Sequence, residues 1–336
     1  ADDNRLQMLT QKVYWHSRSA AGKGSFTVRE EVEVPRDLPE VQKVLLSRAA
    51  VRTGDVQALA GEAMVAGDLL LSVIYLDKAG NINQGSFAVP FGAPVAAAGL
   101  QEKMEARAWG SASQLFINVG ENLSDERRVL SIEAPLFLSV EGYEPCEVEA
   151  LCDAYHLEYD IGMAREEIGL FDGPVEVSEK VKVRGALPRS EVLDADASLQ
   201  ATDVTPVVDS YSVTEGRVDL SGRLSARVFW RAADDKLMST LVDTPFTAAI
   251  DWQGASPDSK VDLALTAGKV EAYAGQNQFE VEADLEITVA SRRLMSYTLV
   301  TGLEQGASLA RAMAPLTLCI AGPGDTAWTL AKRCRV

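Results

Sequence analysis

The chain has 336 residues, which is too long for one ordinary hydrophobic core and predicts two or three domains. Its 32 Lys and Arg against 49 Asp and Glu give a net charge of −17. That charge argues against general nucleic-acid binding and opposes an anionic membrane surface, but it suits a basic partner protein. The sequence contains no apolar run of about 18 residues, so it predicts no transmembrane helix. The N-terminus shows no signal-peptide pattern, although a trimmed leader stays open because the chain begins with Ala.

The first half of the chain alternates apolar and polar residues in short runs, which predicts antiparallel strands. A polar segment over residues 1–24 closes on a flexible turn, and a strand over 25–35 ends at a proline. Residues 36–46 predict a short helix or turn. Further strands are predicted at 47–52, 57–64, 68–75, 86–89, 103–108, 114–119 and 129–141, with a hairpin turn at 77–80 and a loop at 120–125.

Residues 142–174 form a bridge between two similar halves. Its first part still alternates weakly, whereas residues 163–170 are acidic and predict a short helix or an edge segment. A turn at residues 171–174 contains Gly and Pro, and we expect a domain boundary close to it.

A repeat links the two halves. Residues 61–75 and 216–230 align without a gap at an offset of 155, with Gly67 and Gly222 at the same position. Pro-Phe pairs at residues 90–91 and 245–246 share that offset. Later strands match at an offset of 149, so the first copy carries six extra residues in its loop near 121–127. The period is too long for a solenoid and indicates a duplicated domain. Many short strands predict an all-β fold with two tandem antiparallel sandwich-like or barrel-like domains.

The tail differs from both copies. Residues 292–315 are predicted to be a connector, residues 316–320 a short apolar strand, and the residues after them a helix. Asp325 is a good N-cap residue, and Lys332 and Arg333 suit a helix C-terminus.

Part of this tail resembles a LysM domain, a small module that binds N-acetylglucosamine-containing glycans such as peptidoglycan. The residues that carry the resemblance are Gly324, Asp325, Thr326 and Trp328, followed by residues 330–333. The second helix and strand of the family pattern are absent, so half of the implied glycan groove is missing. A role for Trp328 as an anchor of the helix is therefore expected ahead of a ligand contact.

The two large copies are similar to the SPOCS domain of sporulation proteins from Gram-positive endospore formers, especially clostridia. The resemblance rests on residues 34–45 and 191–196, the Gly-x5-Gly strands, the Pro-Phe pairs and residues 153–155. Two such domains followed by LysM form the arrangement of a clostridial spore morphogenesis protein that binds the ATPase of the coat's basement layer.

These resemblances give the expected domain organisation. It comprises an N-terminal polar segment (1–24), a first SPOCS-like domain (25–160), a linker (161–174), a second SPOCS-like domain (175–291), a connector (292–315) and a partial LysM-like segment (316–336).

Four arginines alternate along the second copy of the repeated strand. They are Arg217, Arg223, Arg227 and Arg231. A solvated outer face is the simpler interpretation, and a docking patch for an acidic partner is the alternative.

Cys146, Cys152, Cys319 and Cys334 are sparse and form no C-x-x-C pair. Reduced thiols in a cytosolic compartment are therefore expected, rather than a disulfide scaffold or a zinc knuckle. The spacing of Cys146, Cys152 and His156 is not a standard zinc pattern, so no metal site is predicted.

The sequence contains no nucleophile elbow, Walker A loop or G-x-G-x-x-G motif, and it predicts neither an enzyme nor a cofactor. The expected function is a structural adaptor of the spore envelope, which acts in the mother cell at the forespore surface and in the coat. The implied partner is a spore coat morphogenetic protein, with peptidoglycan as a second possibility. A peptidoglycan-binding module of the cell wall is the alternative, followed by a wall hydrolase with an unrecognised site.

Overall fold

The protein is described here by a computed structural model that covers residues 5–173, 175–188, 198–231, 234, 236–274, 278–309, 318 and 320–336. The all-β class is confirmed, with fifteen strands and one short helix in this part of the chain. The elements are β1 (Leu6–Glu33), β2 (Lys43–Leu59), β3 (Glu62–Leu76), β4 (Ile82–Ala98), β5 (Glu105–Ala112), β6 (Phe116–Gly120), β7 (Val129–His156), β8 (Tyr159–Phe171), β9 (Val175–Pro188), β10 (Ser198–Thr214), β11 (Arg217–Arg231), β12 (Leu237–Asp251), β13 (Lys260–Ala274), β14 (Gln278–Arg292), β15 (Leu294–Ser308) and α1 (Ala327–Cys334).

The chain divides into two compact units. The terminal unit contains Ala1–Ser17, Pro145–Gly173 and Leu294–Val336. The repeat unit contains Arg18–Glu144, called here the first repeat, and Pro174–Arg293, called the second repeat. The chain therefore passes from one unit to the other inside β1 and β7.

The second repeat is a β-sandwich. One sheet has the order β10-β11-β12 and the other the order β13-β14-β9. Inward side chains of both sheets share one hydrophobic core, which includes Leu224 and Val228 from β11 and Leu285 and Ile287 from β14. Their alternation with polar residues explains why each sheet has one buried face.

The first repeat uses equivalent strands. Its strands β2, β3 and β4 pair in that order and continue through β1 to β7, which also pairs with β5 and β6. The core of this repeat includes Leu69, Val73 and Tyr75 from β3 and Leu136 and Leu138 from β7.

The strand pairing confirms the repeat residue by residue. Strands β2 and β3 begin and end 155 residues before β10 and β11, and β7 begins 149 residues before β14. Even the bulges coincide, because the shift after Thr53 in β2 recurs after Val208 in β10. The two copies therefore share their hydrogen-bond register as well as their sequence pattern.

Gly67 and Gly222 allow an aromatic ring to lie against the central strand of each repeat. Gly67 is opposite Phe91, and Gly222 is opposite Phe246. A Cβ at Gly67 would overlap the carbonyl oxygen of Arg52 and lie 2.8 Å from the Phe91 ring. A Cβ at Gly222 would make the equivalent contacts, with the carbonyl oxygen of Val207 and the ring of Phe246. The repeated Gly therefore meets a packing requirement.

Several predicted elements differ from the structure in the first repeat. Residues 6–33 form one strand, so the predicted flexible turn at residues 20–24 and the described part of the polar segment belong to that strand. Of the helix or turn predicted over residues 36–46, the turn is present at 36–42, the buried Val41 fills the core, and residues 43–46 already belong to β2. The predicted strand 57–64 spans the turn between β2 and β3, where Gly61 has φ +81°.

Strand β4 is longer than predicted, because it continues past Pro90 and Pro94 to Ala98. It pairs with β3 along its length and with β1 near its end, at Ala97 and Ala98. The two prolines lie within the stretch paired with β3, opposite Asp68 and Met64. A proline is thus not a stop signal in this strand.

The terminal unit contains strands where the sequence predicted linkers. Strand β7 continues through the predicted bridge to His156, and the acidic segment 163–170 belongs to β8. The predicted connector contains β15, which pairs with β8 in an antiparallel ribbon. The predicted strand at 316–320 falls largely outside the described residues, as does the segment 191–196.

We expect Gly222→Ala to destabilise the second repeat by about 1–3 kcal/mol, since the new methyl group overlaps backbone and an aromatic ring. Gly92→Ala in β4 is the matched control, because a Cβ there meets nothing within 4 Å. Urea unfolding of both variants measures the difference. Equal stability of the two variants would contradict the packing role.

Candidate functional site

The helix α1 has a well-formed N-terminus built from the LysM-like residues. Thr326 is the N-cap, and its side chain accepts from the Thr329 N–H while Thr329 accepts from the Thr326 N–H. The sequence prediction of Asp325 as N-cap is therefore wrong by one residue. The Asp325 carboxylate instead accepts from the Gly322 N–H at 2.8 Å and from Arg333 at 3.0 Å.

Asp153 on β7 is the residue that holds this helix. Its carboxylate accepts from Trp328 Nε1 at 2.7 Å and from Lys332 Nζ at 2.5 Å, and Arg165 on β8 lies 3.1 Å away. The ring of Trp328 also packs edge-on against Tyr155, with 5.1 Å between ring centroids. Two strands and the helix of the terminal unit therefore meet at one carboxylate.

Burial alone would raise the pKa of Asp153, but hydrogen bonds from Lys332 and Trp328 outweigh it. The pKa therefore lies below its ordinary value, and the carboxylate stays ionised at neutral pH.

The end of α1 is fixed to the same strand. Arg335 takes the left-handed conformation at the C-cap, with φ 54°, and donates to the His156 carbonyl at 2.9 Å. The Tyr155 hydroxyl donates to the Val336 carbonyl at 2.5 Å. Both ends of the helix are thus held by β7 and its neighbours.

Cys334 forms a disulfide bond, whereas Cys146 and Cys152 are thiols. The expectation of reduced cysteines is therefore wrong at Cys334. The sparse spacing gave no sign of this pairing, because a disulfide depends on where the fold places the two Cβ atoms.

The four LysM-like residues all have structural roles. Gly324 turns the chain with φ +86°, and the other three make the intrachain hydrogen bonds described above. Trp328 is half-buried with its N–H on Asp153, as expected for an anchor. A contact between these residues and a glycan stays a prediction.

The spacing of Cys146, Cys152 and His156 does not produce a cluster of metal ligands. The Cys152 thiol donates to the Leu9 carbonyl at 3.2 Å, and His156 Nδ1 accepts from the Glu158 N–H at 3.0 Å. Within the described ranges, no three His, Cys, Asp or Glu side chains converge on a possible metal position.

The four arginines of β11 make separate contacts within the chain, and a docking patch built from them stays a prediction. Arg217 pairs with Asp219 at 2.7 Å, and Arg223 pairs with Asp209 at 2.6 Å. The last two members belong to the boundary between the repeats. Arg231 donates to the Gly80 carbonyl of the first repeat at 2.7 Å, and Arg227 lies opposite Asp203 in the β10–β11 register.

Asp203 and Arg48 form an ion pair between the two repeats that sequence reasoning missed. They lie 155 residues apart, so equivalent positions of the two copies face each other. The two groups are 2.5 Å apart, and Asp203 is only 4% exposed. Arg48 also donates to the Val204 carbonyl at 2.9 Å and to the Thr205 hydroxyl.

Burial raises the pKa of Asp203 above its usual range, and attraction by Arg48 and Arg227 only partly offsets this effect. A small apolar cluster accompanies the pair. It contains Ile74, Ile82, Ala201 and Phe229, of which Ile74 and Phe229 again occupy equivalent positions. The repeats therefore contact each other through corresponding faces.

A cleft of about 550 Å³ lies beside this ion pair, and its walls are mostly apolar. Leu70, Phe87, Pro206 and Leu265 contribute to it. Its volume falls within the range of small-molecule sites. The guanidinium group of Arg48 that lines it is already engaged within the protein.

Residues 191–274 match the family model SipL, SPOCS domain, which corresponds to a quarter of the chain and most of the second repeat. This match supports a SPOCS-domain protein. No curated protein and no solved structure matches the chain.

Among the described residues, no helix is long and apolar enough to cross a membrane.

We expect Asp153→Asn to weaken the docking of α1 by about 1–2 kcal/mol, since the side chain at position 153 loses the negative charge that pairs with Lys332 and Arg165. Hydrogen exchange of the helix amides should become roughly tenfold faster.

The pKa of Asp153 is lowered on folding. The stabilisation is therefore present above the unfolded pKa of about 3.9 and is lost as the pH falls through the folded value. If exchange of the helix amides accelerates on acidification in Asp153→Asn as much as in the wild type, the assignment of this pH dependence to Asp153 is contradicted.

We expect Arg48→Ala to cost about 2–3 kcal/mol, because it leaves Asp203 buried without its closest cation. Arg223→Ala removes one partner of an exposed pair and should cost less than about 1 kcal/mol. Urea unfolding of the two variants makes the comparison. A smaller loss for Arg48→Ala than for Arg223→Ala would refute the role of this pair.

Proposed function

We propose that this protein is a non-enzymatic structural adaptor of the spore envelope that binds a spore coat morphogenetic protein. The family match over residues 191–274 is the observation that carries this proposal. The first repeat supports the same function, because it has the strand order, bulges and central-strand glycine of the matched repeat.

The architecture suits a scaffold. Both repeats bury their inward faces in closed cores, and the contact between corresponding faces holds them as one compact unit. Their outer faces carry different side chains on the same framework. A rigid framework with distinct surfaces can bind partners without reorganising, which limits the entropy cost of association.

The proposed location is the mother-cell side of the forespore surface, and then the coat. The sporulation role of SPOCS domains supports this location. The net charge of −17 favours a basic partner surface there.

Peptidoglycan binding is the second candidate function. The turn at Gly324 and the capped helix after it favour this candidate, since they keep the LysM-like order of residues. The engagement of Trp328 by Asp153 and Tyr155 weighs against it. Protein docking is therefore preferred.

Two measurements test the adaptor function. A fluorescent fusion in sporulating cells should form a shell around the forespore, and the purified chain should bind the purified ATPase of the coat's basement layer in a titration. Sedimentation with purified peptidoglycan tests the wall-binding alternative, and an assay for muropeptide hydrolysis tests the hydrolase alternative. A diffuse fusion together with tight peptidoglycan binding would replace the adaptor with a wall module, and released muropeptides would indicate a hydrolase.

A further inference from the structure

The outer face of the first repeat carries an apolar strip that the second repeat lacks. On β7, Pro135 and Phe137 point outward from the core, and Phe137 is 55% exposed. On the neighbouring strands, Phe116 lies opposite Glu133 and Trp109 lies opposite Ser139, so both share this outer face. Phe116 is 49% exposed. These residues form a continuous strip along the sheet.

The equivalent face of the second repeat is acidic. At the offset of 149, Pro135 and Phe137 correspond to Asp284 and Glu286 on β14. Glu286 lies 3.4 Å from Arg52, and Asp284 lies 3.9 Å from Lys182. The same framework thus tolerates charged residues at these positions. Folding of the repeat does not require the aromatic residues of the first copy.

The loop that joins β6 to β7 presents a further apolar residue. It is the six-residue insertion of the first repeat, and its tip is Leu123, which is fully exposed at 108%. The Asn122 side chain accepts from the Ser124 and Glu126 N–H groups at 2.9 and 3.1 Å. At the base of the loop, the buried Arg128 donates to two backbone carbonyls. The leucine is therefore presented on a preorganised support.

The rim of this face carries a net negative charge, because only Glu133 is neutralised, by Arg29 at 2.8 Å, whereas Glu31 and Glu33 meet neutral donors. Glu31 accepts from the Ser131 hydroxyl and Glu33 accepts from the Asn122 amide. Both donors are neutral, so these bonds leave the two negative charges in place. Aromatic residues inside a charged rim are typical of protein interfaces.

We propose that this face, with Phe116, Phe137 and Leu123 as its apolar contacts, is the docking surface for a basic protein partner. The inference rests on the proposed adaptor function and names the surface that performs it. A protein fits better than a glycan, because an aliphatic tip has no flat ring for a sugar to stack on, and because the acidic rim repels the carboxylates of peptidoglycan.

The test places the photocrosslinking residue benzoylphenylalanine at position 137 of the full chain in sporulating cells. Tyr211 of the second repeat, exposed to 49%, is the matched control position. A protein captured from position 137 and not from 211 is identified by mass spectrometry and purified. Support requires that it is basic and that Phe116→Ala with Phe137→Ala lowers its affinity at least tenfold, whereas Tyr211→Ala leaves the affinity unchanged. Glu31→Gln with Glu33→Gln should reduce the salt dependence of its association rate.

The absence of an adduct at position 137, capture of an acidic protein or of muramidase-sensitive glycan, or unchanged affinity of the double alanine variant would overturn the proposal. The fluorescent fusion separates this failure from failure of the adaptor function. A wild-type fusion that reaches the forespore without a crosslink at position 137 rejects this surface and retains the adaptor. A wild-type fusion that stays diffuse rejects the adaptor function instead.

Discussion

The register of the central strand in each repeat is the constraint on which the fold depends. A glycine in β3 and its equivalent in β11 let a phenylalanine of the next strand lie against the backbone, where a Cβ would overlap a carbonyl of the preceding strand. The glycine position thus fixes the alignment of three strands, which are the central strand, the strand before it and the strand after it. A slip by one residue would move the ring onto a residue with a Cβ and turn the buried side chains outward. The sandwich core is built on that alignment.

Because both copies keep this register, corresponding surfaces of the two repeats can contact each other. Arg48 and Asp203 illustrate the consequence, since identical residues at these equivalent positions would place like charges side by side. Their opposite charges convert that repulsion into an attraction. The acidic partner is the more deeply buried of the two, so the pair specifies which surfaces meet more than it adds to net stability. The neighbouring Ile74 and Phe229 supply apolar contact at the same boundary.

Alternation of apolar and polar residues was sufficient to predict the all-β class, and the repeated glycines predicted which strands correspond. The same signal could not predict strand ends, because Pro90 lies inside β4 rather than at its end. It also missed the strands of the terminal unit, which alternate weakly over β8 and β15. The Asp153 contact with Trp328 joins residues 175 positions apart, and no local pattern encodes such a distance. For the same reason the pair Arg48–Asp203 became visible only once the strands were paired.

Duplication separates the residues that fold the repeat from those that are free to change. The inward side chains of β7 and β14 are apolar in both copies, so burial constrains them equally. The outward side chains have diverged from Pro135 and Phe137 in one copy to Asp284 and Glu286 in the other. In the second copy these carboxylates have cations nearby, and one of those cations, Arg52, belongs to the first repeat. That face therefore contributes to the contact within the chain. The corresponding face of the first repeat exposes aromatic rings to solvent, which costs free energy unless something covers them. The division of roles between two copies of one fold thus follows from where each exposes apolar surface.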